Sequence, residues 1–533
     1  MFVDAVYDVF LNLTSSARPS QTSLPTSILV LFGTLWITWR IWRFTIRPAL
    51  HPNGPKEIPY LVPFVGHALA FYKSFNDLVA HGRQYLGNTD EPFTLTIAGE
   101  RIYIVYSPED VSTVYRNNTT LEFDTHVQDL FKSFDGSSDG IMKLRTPYHS
   151  KNSESTSATE LDALPPSQDS VGLYIRQSYK QQLQLGDKLD ILEVKIMQSL
   201  TKSLDIVHEK CISQKKTILS ILQLTKATLL DAGTAALYGD QLISISPNFI
   251  TNFSAFDTNS WMLLYHYPTP FAAPCNIPKR KVLSAFTAYF SLPPSSRSEV
   301  AQFLQTIEAE QRKISLSNAD IASSAFIFYW AINSNPWKLA FWLLSYILYD
   351  PQLHANVVAE TKPAIRPDAA GGVDVQYLVT HCPHLEATFN ETLRLVAAST
   401  SIRNVIAPTP IGSKLLLPGS RLLMPYRPMH FSSKIFGPHT DQFKPSRFVQ
   451  TPGLSKHPAF RPWGGGSTFC PGRFLARREI SAFVVGFLQR FDVEVVEGEA
   501  FPRRDEVTPN LGIMEPVKGD DLKVRVRVRG EGW

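Results

Sequence analysis

The sequence predicts a mainly α-helical protein with small β-sheets, built as one large domain behind an apolar N-terminal segment. Three observations carry this. Helical periodicity dominates from about residue 176 to 350. Strand-like alternation is short, as in Phe93 to Val105, which alternates around Gly99 as a hairpin does. A chain of 533 residues with 44% hydrophobic residues can bury one large core, which suits it better than several small ones.

The first element is an address. Leu24 to Trp42 is apolar apart from Arg40, whose stem can lie along the segment while its head reaches water. Residues 24–42 come close to the roughly twenty needed to cross a bilayer. Arg43 and Arg47 follow, whereas Asp4, Asp8 and a lone Arg18 precede. The positive-inside rule then puts residues 1–23 in the lumen and the rest in the cytosol, as a single-pass anchor of the endoplasmic reticulum membrane. A cleaved signal peptide would carry its positive charge ahead of the apolar run. In this orientation Asn12-Leu13-Thr14 is the one luminal glycosylation sequon; those at Asn117, Asn118, Asn252 and Asn390 stay unmodified.

Prolines 48, 52, 55, 59 and 63 precede Gly66 and make residues 43–66 a stiff hinge. The catalytic domain then occupies 67–533, interrupted by a serine-rich stretch from Ser150 to Ser170 that reads as a mobile insertion. A net charge of only +4 argues against a nucleic-acid partner. The four cysteines, Cys211, Cys275, Cys382 and Cys470, contain no zinc-like pair and fit a reducing compartment.

The chemistry concentrates at Arg461-Pro462-Trp463-Gly464-Gly465-Gly466-Ser467-Thr468-Phe469-Cys470-Pro471-Gly472-Arg473. Three glycines let the backbone approach a flat group without Cβ clashes. An apolar-periodic segment begins after Gly472, so Cys470 stands just before a helix N-terminus, where a thiolate is favoured. This is how one thiolate is presented to haem iron; an inert buried cysteine would need none of this local sequence.

On these residues the chain resembles the cytochrome P450 superfamily, from about residue 55 to 500. The family's ligand signature maps onto Trp463, Gly466, Thr468, Cys470 and Gly472. Trp463 stands where Phe is usual, and Thr468 where a basic residue usually meets a haem propionate. The steroid and bile-acid hydroxylase and prostacyclin synthase branch is the most similar in style. Glu391-Thr392-Leu393-Arg394, inside a helical pattern over Leu385 to Val396, matches the family's Glu-x-x-Arg, and Arg447 in Pro445-Ser446-Arg447-Phe448 matches its Pro-x-Arg-Phe. The resemblance makes Glu391, Arg394 and Arg447 a buried structural triad. It makes Arg403, just after that helix, the propionate partner in place of Thr468. It also implies haem b on Cys470 and a reductase partner, for which Arg473, Arg477 and Arg478 offer either a basic face or merely a solvated one.

The oxygen-activating helix departs from the family. Ser323 to Tyr349 carries no charge except Lys338, and family alignment puts Ala331 at the small residue, Ser334 at the acid and Asn335 at the first threonine. That helix offers no carboxylate, so Asn335 and Ser334 are the candidate catalytic pair for proton delivery, and Pro336 should bend the helix by removing one hydrogen bond. The apolar, aromatic stretch from Phe249 through Tyr289 reads either as a substrate channel or as core.

The resemblance implies a membrane-bound monooxygenase. It would take electrons from NADPH through a reductase and oxidise a lipophilic terpenoid, steroid or polyketide, in the style of fungal secondary metabolism. Two alternatives stand beside it: an isomerase or dehydratase needing no external electrons, and a haem-free membrane-anchored binding protein.

Overall fold

The computed structural model describes residues 24–147, 170–214, 217–297 and 299–530. The expected glycosylation at Asn12 and nearly all of the serine-rich stretch lie outside them.

Helices dominate, as periodicity predicts. The first, α1 (Leu24–Ile41), continues through a wider π turn at Trp42–Ile46. The others that build the site are α2 (Pro108–Arg116), α3 (Val171–Gln182), α4 (Asp187–Gln214), α5 (Ile221–Tyr238), α6 (Phe249–Asn259), α7 (Ala273–Ser291), α8 (Asn318–Asn333), α9 (Pro336–Tyr349), α10 (Pro383–Val396) and α11 (Arg473–Arg490). A six-stranded sheet runs in the order β1 (Lys56–Glu57), β2 (Phe93–Ile97), β3 (Glu100–Ile104), β9 (Ser420–Pro425), β6 (Thr400–Val405), β4 (Leu121–Glu122). Two smaller sheets join β10 (Phe491–Val495), β11 (Lys523–Val528) and β5 (Thr217–Ser220), and β7 (Thr409–Ile411) with β8 (Lys414–Leu416). The predicted hairpin is β2 and β3, paired antiparallel through Ala98 and Gly99, both at positive φ.

The core lies between α5, α8, α9, α10 and α11, where Trp337, Phe341, Trp342 and Leu344 of α9 are fully buried. Much of the 249–289 stretch belongs to that core: Phe249, Phe253, Phe256, Phe286 and Tyr289 are buried, and rings of this group pack around Tyr329.

A bilayer-spanning helix over 24–42 is not found. Among the described residues no helix is long and apolar enough to cross a membrane. Gly33, Thr34, Thr38 and Arg40 dilute the apolar run. Its end is also held by the domain: Trp36 Nε1 donates to the Leu61 carbonyl at 2.7 Å, Arg40 to that of Tyr60 at 2.7 Å, and Arg43 pairs with Glu57 at 2.6 Å. The stretch expected as a hinge supplies β1, which pairs in parallel with β2.

The triad assembles. Arg394 and Glu391 are wholly buried and joined by two hydrogen bonds of 2.7 and 2.8 Å. Arg394 also donates to the carbonyls of His430 at 3.0 Å and Thr440 at 2.7 Å. Arg447 lies 3.4 Å from Glu391 and donates to the carbonyls of Phe436, Pro438 and His439. One ion pair thereby fastens the irregular chain between β9 and the cysteine loop.

Two predictions follow from these buried charges. Arg394→Ala takes from Glu391 its bidentate partner and leaves the buried carboxylate only the longer contact to Arg447, and should cost about 3–5 kcal/mol in denaturant unfolding. Glu479, buried in α11 without a hydrogen bond or ion pair among the described residues, has its carboxyl pushed up to about 8 by burial. Between its ordinary value of 4.5 and about 8 the unfolded chain sheds a proton that the folded chain keeps, so stability falls as pH rises through that window. Glu479→Gln should therefore gain on the native chain by up to about 1.4 kcal/mol per pH unit there. Unfolding midpoints at about pH 5 and pH 7.5 check this; a gain independent of pH contradicts it.

Candidate functional site

Cys470 alone among the four cysteines is not fully buried. Burial pushes the thiols of Cys275 and Cys382 up to about 11, consistent with inert core positions. The loop bearing Cys470 is closed by its own backbone: the Cys470 N–H donates to the Trp463 carbonyl at 2.9 Å, and Arg473 Nη1 caps the Cys470 carbonyl at 2.8 Å. Burial raises the Cys470 thiol, while the Gly472 and Arg473 N–H groups and the Arg473 cation oppose that rise. The chain alone favours the protonated sulfur, and a bound metal ion would take the proton off. A Cβ on Gly472 would sit 4.0 Å from the sulfur, so this residue leaves its surroundings open.

Two of the glycines also serve a contact within the chain. Gly466 takes φ +59°, and a Cβ there would meet Tyr115 at 2.7 Å; one on Gly465 would meet Tyr115 at 2.9 Å and Arg461 at 2.8 Å. They let the loop close onto Tyr115 of α2, whose hydroxyl is bonded to that of Tyr426. Trp463 packs against the main core.

Arg403 on β6 is 1% exposed. Its guanidinium donates to Thr468 Oγ1 at 2.8 Å and the Ile402 carbonyl at 2.6 Å, and lies over the rings of Tyr115 and Phe123. Thr468 thus positions an arginine where its family counterpart would supply the cation. Arg461, not singled out from sequence, lies over the other side of the same cluster: it donates to Ser112 Oγ at 2.7 Å, stands 5.3 Å from the Tyr115 ring centre, and keeps a buried Nε without a partner. Its backbone N–H donates to His430 Nε2 at 3.0 Å. Neither arginine makes an ion pair among the described residues, and burial lowers the pKa of both. One buried and one partly buried cation near a cysteine loop, neither with an acid partner among the described residues, fit a haem, whose two propionates would neutralise them. Cys470 could hold the iron, with Arg403 and Arg461 on the carboxylates.

The long helix breaks where Pro336 predicts, between α8 and α9. Asn335 Oδ1 accepts the Ile513 N–H at 2.8 Å, and its Nδ2 donates to Ser334 Oγ at 3.1 Å. A Cβ on Gly512 would fall 2.0 Å from Asn335 Oδ1, so this glycine permits the contact. Ser334 and Asn335 line a cavity of about 760 Å³. The acids lacking on the helix reach that cavity from elsewhere. Asp257 of α6 lies 2.9 Å from Lys338 Nζ and accepts from Trp330 Nε1 at 3.1 Å; Glu515 lies 3.4 Å from Lys338. Burial raises the Asp257 carboxyl against the pull of Lys338.

The basic face is smaller than the sequence suggests. Arg478 is neutralised by Asp190 and Glu193 of α4 at 2.8 and 2.6 Å. Arg477 donates to Asn390 Oδ1 at 2.8 Å over the Phe389 ring, which also engages the Asn390 sequon inside the fold. Arg473 is left to cover the cysteine loop.

Replacing both Arg403 and Arg461 by Leu removes two desolvated cations of like charge. The variant should fold at least as stably as the native chain, yet lose most of its bound haem, read as the haem-to-protein absorbance ratio. Retention of full haem content contradicts the assignment.

The family model for Cytochrome P450 matches residues 284–524, which contain the triad, α8, α9 and the cysteine loop. Over 532 residues the chain is 24% identical to the cytochrome P450 monooxygenase nodJ of Hypoxylon pulicicidum, covering 95% of this chain and 94% of that one. It is 24% identical over 514 residues to the 7-alpha-hydroxycholest-4-en-3-one 12-alpha-hydroxylase of Homo sapiens, covering 90% and 94%. With the prostacyclin synthase of Rattus norvegicus it shares 29% identity over 256 residues, 44% of this chain and 50% of that enzyme. A cysteine loop before a helix, the Glu391 and Arg394 pair and these likenesses agree: the chain belongs to the cytochrome P450 superfamily, among its monooxygenases.

Proposed function

We propose that the protein oxidises a lipophilic small molecule of terpenoid, steroid or polyketide type, using molecular oxygen and NADPH-derived electrons from a cytochrome reductase, in the making of a secondary metabolite. The observation that carries this reading is one partly exposed cysteine in a loop beside two arginines, Arg403 buried and Arg461 partly buried, that have no carboxylate partner among the described residues. Haem b, held through Cys470, would supply oxygen activation, which a thiolate ligand favours.

The chain's own part is to hold and deliver. Trp463, Gly466 and Gly472 shape the ligand loop, and Arg403 with Arg461 anchors the carboxylates. At the α8–α9 break the Asn335 amide fixes the Ser334 hydroxyl as acceptor, leaving its proton free to donate into the cavity. Asp257 and Glu515, on the same cavity, are the proton reservoir that the helix itself lacks. Trp330, Trp261, Met262 and Leu511 give that cavity an apolar wall suited to a lipophilic substrate.

Attachment to the cytosolic face of the endoplasmic reticulum is part of this reading. Ile28 to Phe32 and Leu35 of α1 are exposed, as are Leu61, Val62, Phe64 and Leu69 of the segment it is bonded to. Contiguous apolar surface of this kind marks an interaction site.

Incubation of the full chain with reductase, NADPH, candidate lipids and oxygen-18 gas tests the reaction. One heavy oxygen atom should enter the product, and only when NADPH is present. Equal turnover without NADPH and dioxygen would identify an isomerase or dehydratase instead.

A further inference from the structure

Beside the continuation of α1 lies a second, half-open cavity of about 400 Å³, far in the sequence from the cysteine loop. Arg43, Arg47, Lys56 and Arg101 line it, with Glu57 as the acid among them. Glu57 is already committed: both its oxygens accept from Arg43, at 2.6 and 2.9 Å, and one also accepts the Thr96 hydroxyl. Arg47 and Arg101 have no side-chain hydrogen bond or ion pair among the described residues, although both are only half-exposed. Burial lowers the pKa of Arg47, and its neighbours Arg43 and Arg101 lower it further. Two cations are thus held close together and partly desolvated, with Glu57 acting on Arg47 only through space while its oxygens are bonded to Arg43 and Thr96.

The position of the cavity names the missing anion. Arg43 and Arg47 lie on the continuation of α1, directly after its exposed apolar run. Trp36 and Arg40 of that helix are bonded to Leu61 and Tyr60, next to the exposed Leu61, Val62 and Phe64. Apolar surface for acyl chains, which continues through the exposed Ile37, Ile41 and Trp42, and a cationic cavity for a headgroup therefore adjoin. Leu415 and Leu417 close the far wall, and Tyr103 and His51 offer further polar atoms. A guanidinium pair matches phosphate oxygens in number and geometry.

We propose that this cavity binds the headgroup of an anionic phospholipid, with Arg47 and Arg101 on its phosphate. The inference rests on the membrane attachment proposed above and adds a specific lipid class to it. Arg43 serves as the fixed rim, locked by Glu57, while Lys56 extends toward additional phosphate on the headgroup. Such a contact would set the height and tilt of the catalytic domain over the bilayer.

Co-sedimentation of the full chain with vesicles tests this. Neutral phosphatidylcholine vesicles report attachment through apolar surface alone; vesicles containing phosphatidylserine or a phosphoinositide report the cavity. The native chain should bind the anionic vesicles more tightly. Arg47→Gln/Arg101→Gln should lose roughly thirtyfold on anionic vesicles, at about fivefold per cation, and nothing on neutral ones. Lys180→Gln/Lys456→Gln, which removes two exposed cations elsewhere, should lose far less. Equal losses in the two double variants would make the effect one of net charge and overturn the cavity, as would no loss in the first. Absence of binding to neutral vesicles refutes the apolar attachment separately. Calorimetry with inorganic phosphate completes the set: tight binding of free phosphate without any preference for anionic vesicles would make this a soluble-phosphate site and overturn the lipid assignment. An unchanged thermal midpoint shows that each variant is folded.

Discussion

The buried pair between Glu391 and Arg394 is the constraint on which the site depends. A bidentate ion pair without solvent contributes little net stability, but it cannot be loosened without stranding a charge. Arg394 uses that rigidity to hold the carbonyl of His430. The His430 ring in turn accepts the N–H of Arg461, which opens the cysteine loop, and Trp463 closes the loop on the N–H of Cys470. Three hydrogen bonds thus connect the core helix α10 to the backbone of Cys470. The ring of His430 is kept neutral for this task, its pKa pulled down to about 3 by burial and by Arg394 and Arg427. A proton there would abolish the acceptor.

The opposite principle governs the arginines near the loop. Arg403 and Arg461 are desolvated without being paired, and the chain meets part of that cost with hydroxyl and carbonyl oxygens and the faces of Tyr115 and Phe123. A cluster of this kind is costly, and a ligand that brought negative charge would relieve it. The cavity beside the continuation of α1 follows the same logic with Arg47 and Arg101. Both places differ from the Glu391 triad and from the Asp257 and Lys338 pair, where acid and base are supplied by the chain itself.

What could be read from the sequence was what is local. Cys470, its glycines and the helix after it form one contiguous stretch, and the three-residue spacing of Glu391 and Arg394 puts both on one helix face. The Pro336 break needed only the rule that proline lacks an N–H. The contacts that were not legible join distant segments. Tyr115 and Arg461 meet from opposite ends of the chain, and Asp257 and Glu515 converge on Lys338 from α6 and the C-terminal segment. The same reason hid the neutralisation of Arg478 by α4. For α1, composition suggested a span, whereas the structure spends Trp36 and Arg40 on carbonyls of the domain.

The central claim is that Cys470 binds haem iron as a thiolate. The difference spectrum of the dithionite-reduced full chain with carbon monoxide tests it most directly. A thiolate-type shift of the main haem band is expected in the native chain, lost in Cys470→Ala. A native chain without that shift, or a variant that keeps it, would contradict the account.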